Sequence, residues 1–280
     1  MINFNGNILE DTTCISIHNR GFAYGDAVFE TIKVSNGKIL FWEDHYFRLM
    51  ASMRIMRMAI PMSFTMELLD TQIKDLLKVN GFESGNVRVK LIVFRDEGGL
   101  YLPKENTVGY TISTKPLDND VFEFNVSDYE VDLFKDYYVA PTLLSTLKTN
   151  NKAINVVGSI FANENKLDNC LLLNTNKNVV EALNGNLFLV KGNIIKTPPL
   201  SDGCLKGIMR AQIIRLVEKL SDYELQEVAI SPFELQKADE LFVTNVITGI
   251  QSITKYRKKH FVNDVAKLLI EKLNIVVRLA

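Results

Sequence analysis

An Asn-Gly pair, Asn36-Gly37, separates two β-rich runs, residues 27–34 (AVFETIKV) and 38–42 (KILFW). Both turn residues tolerate positive φ, so the pair specifies a tight hairpin and antiparallel pairing near the start of the chain. The same grammar returns at residues 186–190, Gly192-Asn193 and 194–196. Helical stretches lie between these hairpins. Residues 43–58 open with Glu43 and Asp44 and close on basic residues, the order a helix dipole favours. Residues 66–79 place Leu68, Leu69, Ile73, Leu76 and Leu77 on one face, with Gly81 just past the end. Residues 87–94 and 108–114 are strands, 152–165 a helix and 170–174 a strand. A turn at 176–178, a helix starting near Leu205, a strand over 240–247 and an amphipathic helix over 264–279 complete the chain. Short strands and turns between helices predict an α+β fold with a mixed, barrel-like sheet rather than a doubly wound one.

The chain divides on this reading into a small N-terminal α+β domain (1–115), an interdomain segment (116–140) and a larger C-terminal domain (141–280). Its 280 residues suffice for two modest domains. A formal net charge of −1 gives no electrostatic case for nucleic acid or an anionic membrane. The basic run over 255–259 (KYRKK) reads as a solvated turn. No stretch reaches the ~20 apolar residues of a membrane span, and the N-terminus lacks a signal-peptide pattern. Cys14, Cys170 and Cys204 lack metal-ligand or disulfide-framework spacing, so no metal is expected and the default location is cytoplasmic. His18, His45 and His260 stand alone and read as packing or surface residues. No GxGxxG or GxxxxGK follows a strand, which leaves a small molecule other than a nucleotide as the partner.

Four segments hold residue types that work together. Lys148, in LLSTLKTNN, is an amine between an apolar run and a helix, suited to bond a carbonyl cofactor and then carry protons. Glu181 lies between an apolar strand and an Asn-Gly turn, where a carboxylate can keep a pyridine nitrogen protonated. Gly207-Ile208-Met209 opens a helix whose N-terminal amides suit a phosphate. Arg48 can grip a phosphate with two parallel hydrogen bonds or pair with Asp44 one turn earlier.

In this order and at these separations, the segments resemble the class IV (fold type IV) pyridoxal-phosphate aminotransferase family. It includes branched-chain and D-amino-acid aminotransferases and 4-amino-4-deoxychorismate lyase. NRGFAYGDAVFET and EDHYFRL resemble its N-terminal motifs, and VVEALNGNLFLVKGN…TPPL and CLKGIMR its C-terminal ones. The resemblance spans about Asn19 to Ser252. It implies Lys148 as the Schiff-base lysine and catalytic residue, Glu181 as pyridinium partner, Arg48 as phosphate arginine and Leu205 as the residue packing on the ring. Ile208 and Met209 match the backbone phosphate cradle, and Asn245, Val246 and Ile247 a second set of cofactor contacts. Phe29, Thr31 and Arg95 are candidate substrate contacts, and Thr31 or Thr149 a hydroxyl relay. The implied fold is a small α+β domain and a larger pseudobarrel domain with pyridoxal 5'-phosphate in the cleft between them. The implied assembly is a homodimer acting on amino acids and keto acids.

Departures from the motifs sort the members. Ala153 stands where branched-chain enzymes usually carry a tyrosine five residues after the lysine. Asn151, Met209 and Asn245-Val246-Ile247 look more like the lyase. In RDEGGLYLP, Leu100 replaces an arginine of the lyase pattern, which removes a clamp for a dicarboxylate. The primary expectation is transamination of a small amino acid with a 2-keto acid. The alternatives are the lyase, releasing pyruvate and 4-aminobenzoate, and a non-catalytic cofactor-binding protein.

Overall fold

A computed structural model describes residues 1–12, 15–118, 122–125 and 127–279, so Cys14 lies outside the described residues. Two compact units emerge, Met1–Val121 with Lys148–Asn151, and Phe122–Leu147 with Lys152–Ala280.

The first unit is built on strands β1 (Ile2–Phe4), β2 (Asn7–Leu9), β3 (Ala27–Ser35), β4 (Lys38–Ile39), β5 (Asn86–Arg95) and β6 (Val108–Leu117). They form one sheet in the order β2-β1-β6-β5-β3-β4. Its helices are α1 (Arg20–Ala23), α2 (Trp42–Ile55) and α3 (Met66–Val79). The β3–β4 hairpin forms where Asn36 and Gly37 adopt φ of 49° and 75°, the left-handed values a primed turn requires. β4 stops short of the expected run because Phe41 turns left-handed (φ 54°) and starts α2 at Trp42. α2 ends at Ile55 rather than Met58, just before Arg57 turns left-handed. α3 begins where the Thr65 side chain accepts from the Leu68 amide, a standard N-cap. Alternate residues of β3 and β5, such as Ile32, Val34, Val89 and Leu91, meet Leu49, Met53, Leu69 and Ile73 from the helices in one core.

The second unit carries β7 (Glu130–Val139), β8 (Asn169–Asn174), β9 (Val179–Ala182), β10 (Gly185–Lys191), β11 (Ile194–Thr197), β12 (Glu224–Glu227), β13 (Glu240–Asn245), β14 (Gly249–Ile253), β15 (Lys255–Tyr256) and β16 (Lys259–His260). Around them lie α4 (Ala153–Glu164), α5 (Ile208–Val217), α6 (Pro232–Leu235) and α7 (Asp264–Leu279). β7–β8, β11–β12 and β7–β15 pair in parallel, while β8, β9, β10, β13 and β14 follow one another antiparallel. β10 takes β9 and β11 along different stretches and β13 besides, which gives the sheet its branched course. Leu187, Leu189, Leu241 and Val243 project into a core with Leu171 and Ile253.

The segment expected to join two domains contains a full strand, β7. Its acids concealed an alternation in which Val131 and Leu133 are buried while Glu130 and Asp132 are half-buried. The basic run over 255–259 is a two-residue hairpin in which Tyr256 is buried. α5 starts at Ile208 rather than near Leu205, with Gly207 as its N-cap. β13 ends at Asn245 because that side chain folds back onto the Ile247 and Thr248 amides, 3.0 Å each. Among the described residues, no helix is long and apolar enough to cross a membrane and no group of three metal-ligating side chains forms. Burial pushes the Cys170 thiol up to about 11 and Cys204 up to about 12, so neither is a thiolate at neutral pH.

Candidate active site

Lys148 is mounted by its own backbone. Its carbonyl accepts from the Phe29 amide (2.8 Å), Thr149 bridges Val28, and the Asn150 amide donates to the Ala27 carbonyl (3.0 Å). Asn151 adds a side-chain bond to the Gly25 carbonyl (3.3 Å). Residues 148–151 thus lie along the first half of β3, on the edge whose far end β4 occupies. This is why they belong to the first unit although they lie far from it in sequence. The half-buried Lys148 side chain sets Nζ 4.6 Å from the centre of the Phe29 ring, a cation–π distance. Thr31, two residues on and so on the same strand face as Phe29, is buried.

A second cluster forms in the other unit around Glu181 on β9. Its Oε2 accepts from the Leu205 amide at 2.9 Å. The Leu205 carbonyl in turn accepts from Asn186 Nδ2 at 2.8 Å, and Asn186 is the β10 partner of Glu181. The expected ring-packing residue and the expected pyridinium partner are therefore joined directly, with Asn186 closing the loop. Next in sequence, Gly207 caps α5, whose first turn contains no acid and no side-chain cap. The backbone amides of Ile208 and Met209 open that turn, where anions are favoured, while both side chains are buried. A Cβ on Gly207 would stand 2.0 Å from Asn186 Oδ1, so only glycine lets this turn lie against the cluster. Thr244 pairs with Asn186 across β10 and β13, which brings neighbouring Asn245 to the same region. The Ile247 amide is taken up by Asn245 Oδ1, so this expected cofactor contact holds the local turn.

Two expected arginines have other partners. Arg48 forms its salt bridge with Glu30. Its Nε donates to Glu30 Oε1 at 2.8 Å and its second terminal nitrogen to Glu30 Oε2, a fork on a buried carboxylate. His45 Nδ1 also lies 2.6 Å from Glu30 Oε2. Burial would raise the Glu30 carboxyl, but the Arg48 charge and the His45 hydrogen bond outweigh it and bring it down to about 2. Burial chiefly lowers His45, which is neutral at pH 7. Arg95, expected as a substrate contact, is buried and bonded within the first unit. It donates to Asp26 Oδ2 (2.9 Å), the Arg57 carbonyl (3.1 Å), Asn106 Oδ1 (2.6 Å) and the Met56 carbonyl (2.6 Å). Asp26 is shared with Arg20, whose guanidinium gathers the carbonyls of Gly98, Leu100 and Tyr101.

Sequence reasoning missed Glu30, His45 and Asn186. Glu30 had a detectable signal: it is a carboxylate on the apolar, helix-facing side of β3, between Val28 and Ile32. His45, three residues before Arg48 on α2, lies on the same helix face.

Gly207→Ala is expected to cost about 1–3 kcal/mol of stability, since the overpacked turn must shift. Urea unfolding of the purified variant checks this.

The model of the class IV amino-transferase family matches residues 27–256. A D-alanine aminotransferase of Bacillus licheniformis is 28% identical over 90% of this chain and 86% of its own length. An aminodeoxychorismate lyase of Vibrio harveyi is 24% identical over 86% and 87%. The crystal structure of a Thermoproteus uzoniensis branched-chain aminotransferase superposes with a TM-score of 0.89, over 99% of this chain and 94% of that one, at 22% identity. Matched across most of its length, the chain belongs to the class IV aminotransferase family.

Proposed function

We propose that this pyridoxal-phosphate enzyme transfers the amino group of a small amino acid to a 2-keto acid, with Lys148 as its catalytic residue. The observation that carries the reading is the Lys148 mount: two backbone hydrogen bonds, which bridge Thr149 to Val28, tie this segment to β3. The donor set suits the cofactor in kind. It comprises an amine for an aldehyde, a carboxylate held by a backbone amide for a pyridinium nitrogen, and a glycine-capped helix start for a phosphate. When bound, the cofactor supplies an electron sink for charge developing at the substrate's amino-bearing carbon.

On this reading Lys148 Nζ would hold the cofactor's aldehyde carbon until the substrate amine takes its place. The freed amine would then remove the proton from the amino-bearing carbon and return a proton on the product side. Glu181 keeps the ring nitrogen protonated, and the Leu205–Asn186 links fix the carboxylate's direction. The Ile208 and Met209 amides, with that of Val246, hold the phosphate. Arg48 adds its charge there, steadied by Glu30, and Leu205 packs on the ring. Phe29 and Thr31 line the substrate side. A cytoplasmic homodimer is part of the same reading.

The lyase reaction is the second reading. It is supported by the lyase-like Asn245-Val246-Ile247, in which the Asn245 side chain organises the turn after β13. Mixing the coloured enzyme with single L- or D-amino acids decides between them. Bleaching of the visible band with one equivalent of keto acid supports the transaminase. Pyruvate and 4-aminobenzoate from aminodeoxychorismate, with the band retained, support the lyase. A protein that does neither contradicts both.

A further inference from the structure

Two main-chain hydrogen bonds seat Lys148 on β3, and so short a ladder does not fix its own register. A slip of one residue would turn the Lys148 side chain to the other face of the strand. A slip of two would carry its amine about 7 Å along the strand. Asn151 supplies the missing constraint. Its Nδ2 donates to the Gly25 carbonyl at 3.3 Å, and a Cβ on Gly25 would stand 2.5 Å from its Oδ1. The side chain therefore lies directly against the Gly25 backbone, in space that exists because residue 25 is glycine. Gly25 also has a φ of 65°, which favours glycine on its own account. The residues within two positions of it are Ala23, Tyr24, Asp26 and Ala27. A segment slipped by one or two residues would bring Asn151 onto a Cβ, so this contact forms in one register.

The start of β3 is held from its other side at the same point. The Asp26 carboxylate accepts from Arg20 Nε and Arg95 Nε, 2.9 Å each. Its amide donates to the Arg20 carbonyl and its carbonyl accepts from the Arg95 amide, 3.2 Å each. Both arginines are buried, and a satisfied buried network of this kind is rigid. Residues 25–27 are thus clamped through Asp26, while the Gly25 and Ala27 carbonyls accept from Asn151 and Asn150 of the lysine segment. The clamp is the fixed mark against which Asn151 sets the register.

We propose that Asn151 is a positioning residue for Lys148: pinned to Gly25 beside the Asp26 clamp, it keeps the segment in the register that sets Nζ 4.6 Å from the Phe29 ring centre. This inference rests on Lys148 being the cofactor lysine. Attachment requires the amine to add to the aldehyde carbon; a C=N bond replaces C=O, and the aldehyde oxygen leaves as water with two hydrogens from the amine. That step depends on where the amine stands, and a displacement of about 1 Å can cost up to about 10²-fold in rate. The residues proposed to hold the ring nitrogen and the phosphate do not include Asn151. Loss of the pin therefore acts on covalent capture and not on non-covalent binding.

Stopped-flow mixing of cofactor-free enzyme with saturating pyridoxal 5'-phosphate reads the rate at which the visible band appears. Asn151→Ala is expected to slow it about 10-fold. Asn151→Asp, equal in size but without the N–H donor, should slow it comparably. Calorimetric affinity for pyridoxamine 5'-phosphate, which has no aldehyde to bond, should stay within about 2-fold in both variants. Gly25→Ala, whose Cβ displaces the Asn151 side chain, should also slow capture, yet add less than about 3-fold on top of Asn151→Ala. An unchanged rate in Asn151→Ala overturns the proposal, and so does a wild-type rate in Asn151→Asp. Equal losses of capture rate and pyridoxamine-phosphate affinity overturn it as well, since they mark a general loosening. If Gly25→Ala fails to fold, the two variants at the exposed Asn151 decide the matter alone. Borohydride reduction of the wild type scores the cofactor reading separately. Pyridoxyl fixed on Lys148 with unchanged capture in the variants sinks the pin alone. Pyridoxyl absent from Lys148 in the wild type sinks the lysine assignment, and the pin with it.

Discussion

Lys148→Ala protein is expected to purify colourless, to retain no covalent cofactor and to lose amino transfer by at least about 10³-fold. On the proposed function the substitution takes away both the covalent attachment and the group that moves protons at the amino-bearing carbon, a role worth about 10²–10⁴-fold by itself. The fold should survive, because the bonds that mount this segment use main-chain atoms. The Phe29 amide still meets the carbonyl at position 148, and Asn150 still donates to Ala27. The contact of Nζ with the Phe29 ring, worth about 0.5–1 kcal/mol, is among the interactions lost. A variant with a nearly unchanged melting temperature, no visible band and no activity is therefore the expected result. Colour with a borohydride-reducible adduct in this variant would place the cofactor on another amine.

Glu30→Gln is expected to give the largest loss of stability, about 3–5 kcal/mol at neutral pH. The substitution leaves the Arg48 guanidinium buried without its countercharge. Against a typical net stability of about 5–15 kcal/mol, that is about a fifth or more of the total. The pH dependence follows from the same cluster. The folded Glu30 carboxyl titrates at about 2, below the ordinary 4.5. Its stabilisation is thus complete above about 4.5 and is lost as pH falls toward about 2. His45, lowered by burial, acts in the same direction. It is neutral in the fold, so below its ordinary 6.5 the unfolded chain binds the extra proton and stability falls. Urea unfolding of wild type and variant at pH 7 and pH 3 checks this. The gap between them should shrink markedly at pH 3, and a gap independent of pH would contradict the ion-pair account.

Local signals in the sequence led to much of this architecture. Asn36-Gly37 makes its hairpin, and the apolar spacing of 66–79 and 264–279 gives α3 and α7 with the expected bounds. Such features depend on neighbours a few residues apart. What depended on distant partners was not legible. β7 hid its period under acids, since its burial is set by pairing with β8 and β15. Residues 148–151 joining β3, some 120 positions earlier, has no local signature. Arg48 and Arg95 showed the same limit: a guanidinium advertises that it will bind an anion or carbonyls, not which ones. The motifs nonetheless brought Glu181, Leu205 and Gly207 onto one list, and the fold joins them through Asn186.

The most direct test of the central claim is peptide mapping after borohydride reduction of the purified enzyme. The account predicts a single pyridoxyl modification, on the lysine of the sequence LLSTLKTNN. Modification at any other lysine, or none after saturation with pyridoxal phosphate, would contradict it.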